Sequence, residues 1–169
     1  MILPDVFWSR IKKVQRIHQR LYSAGMGWLV GWIILLLEHT GRKSGKKYFT
    51  PLQFEKIDDL YYVGAGRGSK ADWYRNIQAN PGVHVQVGRV VFDARAECIC
   101  EPDKVMIFLK FRFKRHPLMM GLMMRFHSLP MHPTDDQLLD LGKTLAIVAL
   151  HPVKYSFPVS TNSGEHDSN

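Results

Sequence analysis

Short connections between alternating segments constrain this fold more than any other feature of the sequence. Residues 83–87 and 90–99 alternate between apolar and polar side chains, and only Gly88-Arg89 separates them, as in a two-residue hairpin. The alternating segments before them are also close together along the chain, and one helical segment interrupts the series. The sequence therefore predicts a small barrel of mainly antiparallel strands, in the α+β class, instead of a parallel sheet.

Periodicity elsewhere adds further strands and several helices. Alternating or short apolar runs predict strands over 33–37, 48–56, 60–63, 83–87, 90–99 and 144–150, with the last continuing to Phe157. Apolar residues at helical spacing predict helices over 7–22, 71–79, 102–115, 118–126 and 134–141. The 169 residues are enough for one domain with its own core.

Three regions are expected along the chain. They are an amphipathic and apolar segment packed on or near the barrel (1–32), a barrel domain with a Met-rich helical insertion at about 102–142 (33–157), and a disordered polar tail (158–169). The N-terminal helix fits a cover over one end of the barrel better than a helix lying on a membrane surface. The apolar run after it is too short to span a bilayer and lacks the features of a signal peptide.

A basic turn bounded by glycines joins the first two predicted strands, at residues 39–47. Gly41 and Gly45 permit positive φ and close approach of a ligand to the backbone. Arg42, Lys43 and Ser44 lie between them, and an Arg fork and a Lys charge suit a phosphate group. The turn predicts an anion site, with a solvated hairpin that protects a sheet edge as the alternative.

A second glycine-rich basic loop, at residues 64–70, leads into the helix predicted at 71–79. The exposed N–H groups and the dipole of a helix N-terminus favour an anion there. The loop lacks the glycine spacing of GxGxxG and is not a Walker-type loop. It is therefore an anion-binding candidate without the fingerprint of a dinucleotide fold or a nucleotide hydrolase.

The net charge of +8 and the pI of about 9.6 favour anionic partners without choosing among them. Residues 110–115 interleave aromatic and cationic side chains as nucleic-acid binders do. On a helix this pattern is more typical of a basic amphipathic face, so no nucleic-acid partner is predicted. The Met-rich segment 111–140 is a candidate for contact with a membrane surface or for an adaptable core.

Other kinds of catalytic site find little support in the sequence. Ser44 has no His and Asp at the spacing of a hydrolase motif. The eight histidines lack zinc-like spacing with Cys98 and Cys100, so no metal site is predicted. The two cysteines are interpreted as reduced packing residues of an intracellular protein.

The basic turn and the helix after the glycine-rich loop carry two motifs in a characteristic order. Residues 40–45, Thr-Gly-Arg-Lys-Ser-Gly, precede Thr50-Pro51, and the segment from Asp72 to Pro81 follows the glycine-rich loop. Together they resemble the deazaflavin-dependent nitroreductase and quinone reductase family over roughly residues 33–99 and the last strand. Members adopt a split β-barrel like that of the FMN-binding flavin reductases, so the resemblance implies this barrel with flanking helices.

The resemblance also implies a cofactor and its binding residues. The cofactor is coenzyme F420, a deazaflavin with a phosphate and an anionic tail. The implied cofactor-binding residues are Arg42, Lys43, Ser44, Tyr48, Thr50, Pro51, Ala65, Gly66, Arg67, Gly68, Trp73 and Asn76. Tyr48 stands where the best-known branch of the family has an Arg. From the residues alone, Trp73 could instead fill the core and Asn76 could instead cap locally.

The activity implied is hydride transfer from reduced F420 to a quinone-like or nitro acceptor. No catalytic residue is assigned, because in such reactions the cofactor donates the hydride and the protein binds and orients. FMN on the same barrel and a non-catalytic module that binds a cofactor or an anionic lipid are the alternatives. Barrels of this kind are expected to form homodimers, and the expected location is the cytoplasm, with peripheral contact to the inner face of the membrane.

Overall fold

Six antiparallel strands close into a barrel in the computed structural model, which describes residues 34–153. The strands are β1 (Ile34–Thr40), β2 (Lys47–Ile57), β3 (Leu60–Ala65), β4 (Gly82–Val87), β5 (Val90–Ile99) and β6 (Ala146–Pro152). The helices are α1 (Asp72–Ala79), α2 (Pro102–Arg115), α3 (Pro117–Phe126) and α4 (Asp135–Gly142). The order around the barrel is β1-β2-β3-β6-β5-β4, and β4 pairs back with β1. The predicted antiparallel barrel with flanking helices is confirmed.

The predicted segment 1–32, its helix at 7–22 and the tail 158–169 lie outside the described residues. The last strand continues past Leu150 as far as Pro152, and residues 154–157 of its predicted continuation also lie outside the described residues. Within the described part, β1 is longer than predicted, because His39 and Thr40 pair with Tyr48 and Lys47. The basic connection between the strands is correspondingly shorter, at residues 41–46.

The barrel interior is filled by the inward-facing residues of each strand. Along β1, Leu35, Leu37 and His39 are buried in alternation, as the period of two in a strand requires. Tyr74 and Ile77 of α1 belong to the same core. Full burial of an apolar side chain such as Leu35, Leu37 or Ile77 stabilises the fold by about 1.5–3 kcal/mol relative to exposure.

A second core lies between the outer face of the barrel and helices α2, α3 and α4. Met120 and Met124 of the Met-rich segment are completely buried in it, beside Phe108 of α2 and Ile147 of β6. Other residues of α3 are exposed, Leu118 by 80%. The segment therefore serves as an adaptable core on one face of α3 and presents an apolar surface on the other.

A buried carboxylate fastens the junction of α2 and α3 to the barrel. Glu55 of β2 is only 4% exposed, and its Oε1 lies 3.2 Å from both Arg112 Nε and His116 Nε2. Arg115 Nε lies 3.6 Å from Glu55 Oε2. Replacing one partner of such a buried ion pair with a neutral residue is strongly destabilising, because the other charge stays buried without a counter-charge.

Candidate functional site

A cleft of about 740 Å³ lies between the turn after β1, the first half of β2, the glycine-rich loop and α1. Arg42 and Lys43 contribute to its wall from the basic turn, and Gly66 and Arg67 contribute from the glycine-rich loop. The two loops that the sequence singled out therefore lie on one cleft. The cleft has the size of a small-molecule site, for which about 300–1,000 Å³ is usual.

All but two of the residues expected to bind the cofactor line this cleft. Those that line it are Arg42, Lys43, Ser44, Tyr48, Thr50, Pro51, Gly66, Arg67, Trp73 and Asn76. Ala65 instead belongs to the barrel core and lines a second cavity. Gly68 is buried with φ at +53°, and a Cβ there would clash with the backbone oxygen of Thr144. The position of Gly68 is thus explained by close packing of the loop against the chain before β6.

Arg42 is held by α1. Its Nη2 lies 3.1 Å from Asp72 Oδ1, and its Nη1 and backbone N–H donate to Asn76 Oδ1 at 2.9 and 3.2 Å. Asp72 stands in the first turn of α1, where a carboxylate is favoured by the helix dipole. Arg42 therefore connects the basic turn to α1. The side chains of Lys43 and Lys46 are exposed, and within the described residues neither forms a hydrogen bond or an ion pair with another side chain.

A buried histidine continues this network toward the cleft. Asn76 accepts from Arg42 with Oδ1, so its Nδ2 faces His39 Nδ1 at 3.3 Å and donates to it. His39 therefore carries its proton on Nε2, which donates to Thr50 Oγ1 at 3.0 Å. Burial lowers the pKa of His39 to about 4, so the ring is neutral at neutral pH. With its oxygen already accepting from His39, the hydroxyl of Thr50 has its hydrogen left to donate.

Tyr48 and Ser44 form the outer wall beside this network. Ser44 Oγ and the Tyr48 hydroxyl lie 3.2 Å apart, and the Tyr48 ring stacks on His39 with centroids 6.0 Å apart. A Cβ on Gly41 would lie 2.6 Å from the Tyr48 ring. The absence of a side chain at Gly41 thus lets the turn pack closely against Tyr48, and a larger residue there would displace the Tyr48 ring.

Trp73 lies between the barrel core and the cleft. Trp73 is partly buried against the barrel core, packs edge-on to Tyr74, and also lines the cleft. Asn76 is buried and bonds to Arg42 and His39, residues more than thirty positions away, so it is not a local cap.

Within this hydrogen-bonded network, His39 and Asp72 are the residues that sequence reasoning missed. The signal for His39 was present, because it continues the alternation of Leu35 and Leu37 and must face the same side of β1. The predicted strand nevertheless ends at Leu37 and places His39 in the turn. Asp72 carried no such signal, since only the folded chain brings it to Arg42, thirty residues earlier.

Metal-ligand clusters and membrane-spanning helices are both absent from residues 34–153. No group of three or more His, Cys, Asp and Glu side chains there is arranged to hold a metal ion. In the same range no helix has both the length and the apolar character needed to cross a bilayer.

Solved structures of other proteins share the fold. The conserved hypothetical protein Rv2991 from Mycobacterium tuberculosis superposes with a TM-score of 0.51 at 15% identity, covering 78% of this chain and 80% of that one. A structure described as a domain-swapped dimer gives a TM-score of 0.50 at 22% identity, covering 88% of this chain and all of that one (100%).

Proteins related to this chain in sequence have names that state an activity. The putative F420H(2)-dependent quinone reductase Rv3178 of M. tuberculosis is 40% identical over 57 residues, 32% of this chain and 48% of that protein. The F420H(2)-dependent quinone reductase Rv1261c of the same species is 32% identical over 97 residues, 52% of this chain and 64% of that protein. The chain thus spans about half to two thirds of the length of these curated relatives.

The broadest match is to a whole family. The family model of the F420H(2)-dependent quinone reductases matches residues 9–116, which include the basic turn, the glycine-rich loop, α1 and the first five strands. This confirms the family that the two sequence motifs indicated. With its barrel and its loops gathered on one cleft, the chain belongs to the F420H(2)-dependent quinone reductase family.

Proposed function

We propose that this protein binds coenzyme F420 in the cleft and transfers a hydride from the reduced cofactor to a quinone. The observation that carries the proposal is the convergence of the basic turn and the glycine-rich loop on one cleft. Family membership supports F420 over FMN as the cofactor. It also favours an enzyme over a module that only binds a cofactor or a lipid. A nitro compound is a second candidate acceptor.

The residues of the cleft fit a long molecule that is anionic at one end and aromatic at the other. Lys43 and Arg67 bring positive charge, and a charge-assisted contact to phosphate is about twice as strong as a neutral one. Trp73, Pro51 and Leu52 bring flat or apolar surface for a ring system. The chemistry that F420 would supply here is hydride donation.

The chain contributes positioning and hydrogen bonding to this reaction. Thr50, oriented by His39, would donate its hydroxyl hydrogen to an acceptor atom of a bound ring. The space where Gly66 would carry a Cβ is open, with no atom within 4 Å, so a ligand can approach the backbone there. Preorganised donors of this kind need no reorientation when the hydride moves.

Titration with F420 and with FMN, followed by fluorescence, tests the cofactor. We expect F420 to bind at least about tenfold more tightly, a difference of about 1.4 kcal/mol. Oxidation of reduced F420 by a quinone, with a nitroaromatic compound in parallel, then tests the activity. Equal affinity for FMN would contradict the cofactor assignment, and tight F420 binding without turnover would favour the binding module.

We propose that α3 contacts an anionic membrane surface from which a lipid-soluble quinone is drawn. Leu118, Leu122 and Phe126 recur every fourth residue and are exposed, so they form one apolar stripe. Lys114 and Arg125 lie exposed nearby in sequence, as on helices that bind anionic lipid. Such contact would place the protein at the inner face of the cytoplasmic membrane.

Sedimentation with lipid vesicles tests this contact. We expect binding to vesicles that contain phosphatidylglycerol, and weaker binding to pure phosphatidylcholine. Leu122→Glu should reduce the bound fraction without changing F420 affinity. Recovery of the wild-type protein in the supernatant with both lipids would contradict the proposal.

We also propose that the protein forms a homodimer, as expected of barrels of this kind. Val90 and Val91 at the start of β5 are 62% and 65% exposed, which leaves apolar surface available for a second copy. Sedimentation equilibrium measures the mass directly. A single species at the monomer mass of 19.5 kDa over the micromolar range would contradict a dimer.

A further inference from the structure

A second cavity, of about 180 Å³, lies between the outer face of the barrel and the helical insertion. Its wall is mostly apolar, with Val105, Phe108 and Leu109 from α2, Met123 from α3 and Ile147 from β6. These residues come largely from the Met-rich insertion and its neighbours, a part of the chain for which the sequence suggested no specific ligand.

The second cavity adjoins the main cleft. Gln53, Gly64 and Gly66 line both. A Cβ added to Gly64 or Gly66 would meet nothing within 4 Å, and neither residue has a positive φ. Neither the backbone conformation nor the packing therefore requires glycine at these two positions. Because both residues lack a side chain, space stays open between the cleft and the cavity.

The polar groups of the cavity wall are few. Gln53 offers a side-chain amide, and Arg112 is anchored through its Nε to Glu55. Arg112 Nη2 is buried and has no hydrogen-bond partner among residues 34–153. Burial also lowers the pKa of His127, so this ring is neutral at neutral pH and can donate one hydrogen bond. The wall thus combines apolar surface with hydrogen-bond donors.

This combination suits a small apolar ring that carries a carbonyl oxygen. The cavity is below the roughly 300 Å³ of a site for a drug-sized ligand, so it would take one small ring. Reduction of a quinone to a hydroquinone adds one hydride and one proton, which together are what F420H(2) loses on oxidation. Negative charge grows on the quinone oxygen as the hydride arrives, and donors aimed at that oxygen stabilise it.

We propose that the second cavity is the acceptor subsite, which holds the quinone ring beside the cleft while Gly64 and Gly66 leave the passage between them open. This inference rests on the proposed function, since it locates the acceptor of that reaction. It also gives the helical insertion a task in binding, besides its packing against the barrel.

Filling the cavity from two different elements that line it, β3 and α3, tests the proposal. Gly64→Val fills the passage from β3, where a β-branched residue suits a strand. Met123→Phe fills the cavity from α3 without touching the main cleft. Gly82→Val is the matched control, because Gly82 starts β4, lines neither cavity, and has open space at its Cβ.

The probe is duroquinone, whose fully methylated ring does not add to the exposed Cys100 thiol. Calorimetry measures its affinity for the protein with and without oxidised F420, and F420 affinity is measured separately. We expect duroquinone Kd to rise about tenfold or more in both filled variants, corresponding to about 1.4 kcal/mol, and to stay within about twofold in the control. In turnover, KM for duroquinone should rise more than kcat falls.

F420 affinity of Met123→Phe should equal that of the wild type. Absence of duroquinone binding to the wild-type protein, or unchanged duroquinone affinity in both filled variants, would overturn the subsite. If duroquinone binding responds to both variants but F420 does not bind at all, the cavity is a quinone site, and both the proposed hydride transfer and the acceptor role of the cavity fail.

Discussion

The buried His39 allows a quantitative prediction about acid stability. Burial lowers its pKa to about 4 in the folded protein, against 6.5 in the unfolded chain. Between these values the unfolded chain binds the proton and the folded protein does not, so folding stability falls as the pH is lowered. At about 1.4 kcal/mol for each pH unit, this residue alone removes about 3 kcal/mol between pH 6.5 and pH 4.

The prediction is checked with the variant His39→Leu. It removes the titrating ring while keeping an apolar side chain at a site that is only 3% exposed. It also leaves Asn76 Nδ2 and Thr50 Oγ1 without their bonds to His39. Leaving the buried amide without a partner costs about 1–3 kcal/mol at neutral pH. The variant should therefore be less stable than the wild type at pH 7, and the two should converge toward pH 4.

Urea unfolding followed by tryptophan fluorescence at several pH values measures this convergence. His127 also has a lowered pKa and stays in both proteins, so the difference between them reports on His39. The exposed His132, changed to Leu, is the control and should give the wild-type pH dependence. Parallel stability curves for wild type and His39→Leu over pH 4–6.5 would refute the assignment of a buried neutral ring.

Three further substitutions test other parts of the structure. Lys43→Ala should weaken F420 binding by about 1.5–3 kcal/mol through loss of a charge-assisted contact, whereas Lys114→Ala, at another exposed lysine, should leave it unchanged. Equal F420 affinities of the two variants would mean that the turn does not hold the cofactor. Glu55→Leu should lower the free energy of unfolding by about 3–5 kcal/mol, because it leaves Arg112 buried without its counter-charge. A loss below about 1 kcal/mol in urea unfolding would contradict this, since it would mean that Arg112 finds another partner or reaches solvent. Gly68→Ala should destabilise by more than about 1 kcal/mol, because φ is +53° and a Cβ clashes with neighbouring backbone; unchanged thermal unfolding would contradict that conformation.

The sequence predicts local features of this fold well and distant pairings poorly. The β4–β5 hairpin follows from Gly88 and the alternation on either side, and Gly88 has a φ of +59°. The capping box of α4 likewise follows from Thr134, whose side chain accepts from the N–H of Gln137 at 3.3 Å. In both cases the residues that determine the structure are within a few positions of each other.

The candidate site shows the same limit. Each of the two motifs is contiguous in sequence and can be recognised there. The family resemblance that they carry predicts that the basic turn and the glycine-rich loop share a cleft. The bonds that hold Arg42 to Asp72 and Asn76 depend on how α1 packs against β1, which no local pattern encodes. The second cavity depends on how the insertion docks on the barrel, and Glu55, which secures that docking, reads in the sequence as an ordinary strand residue.

The strand order has a consequence for synthesis of the protein. β6 lies between β3 and β5, and so fills a gap left by strands that emerge from the ribosome much earlier. Until residues 146–152 are made, the nascent chain presents two open strand edges, which are templates for pairing with other chains. Closure of the barrel is therefore a late event, and a chain halted within the helical insertion would depend on chaperones to stay free of aggregates.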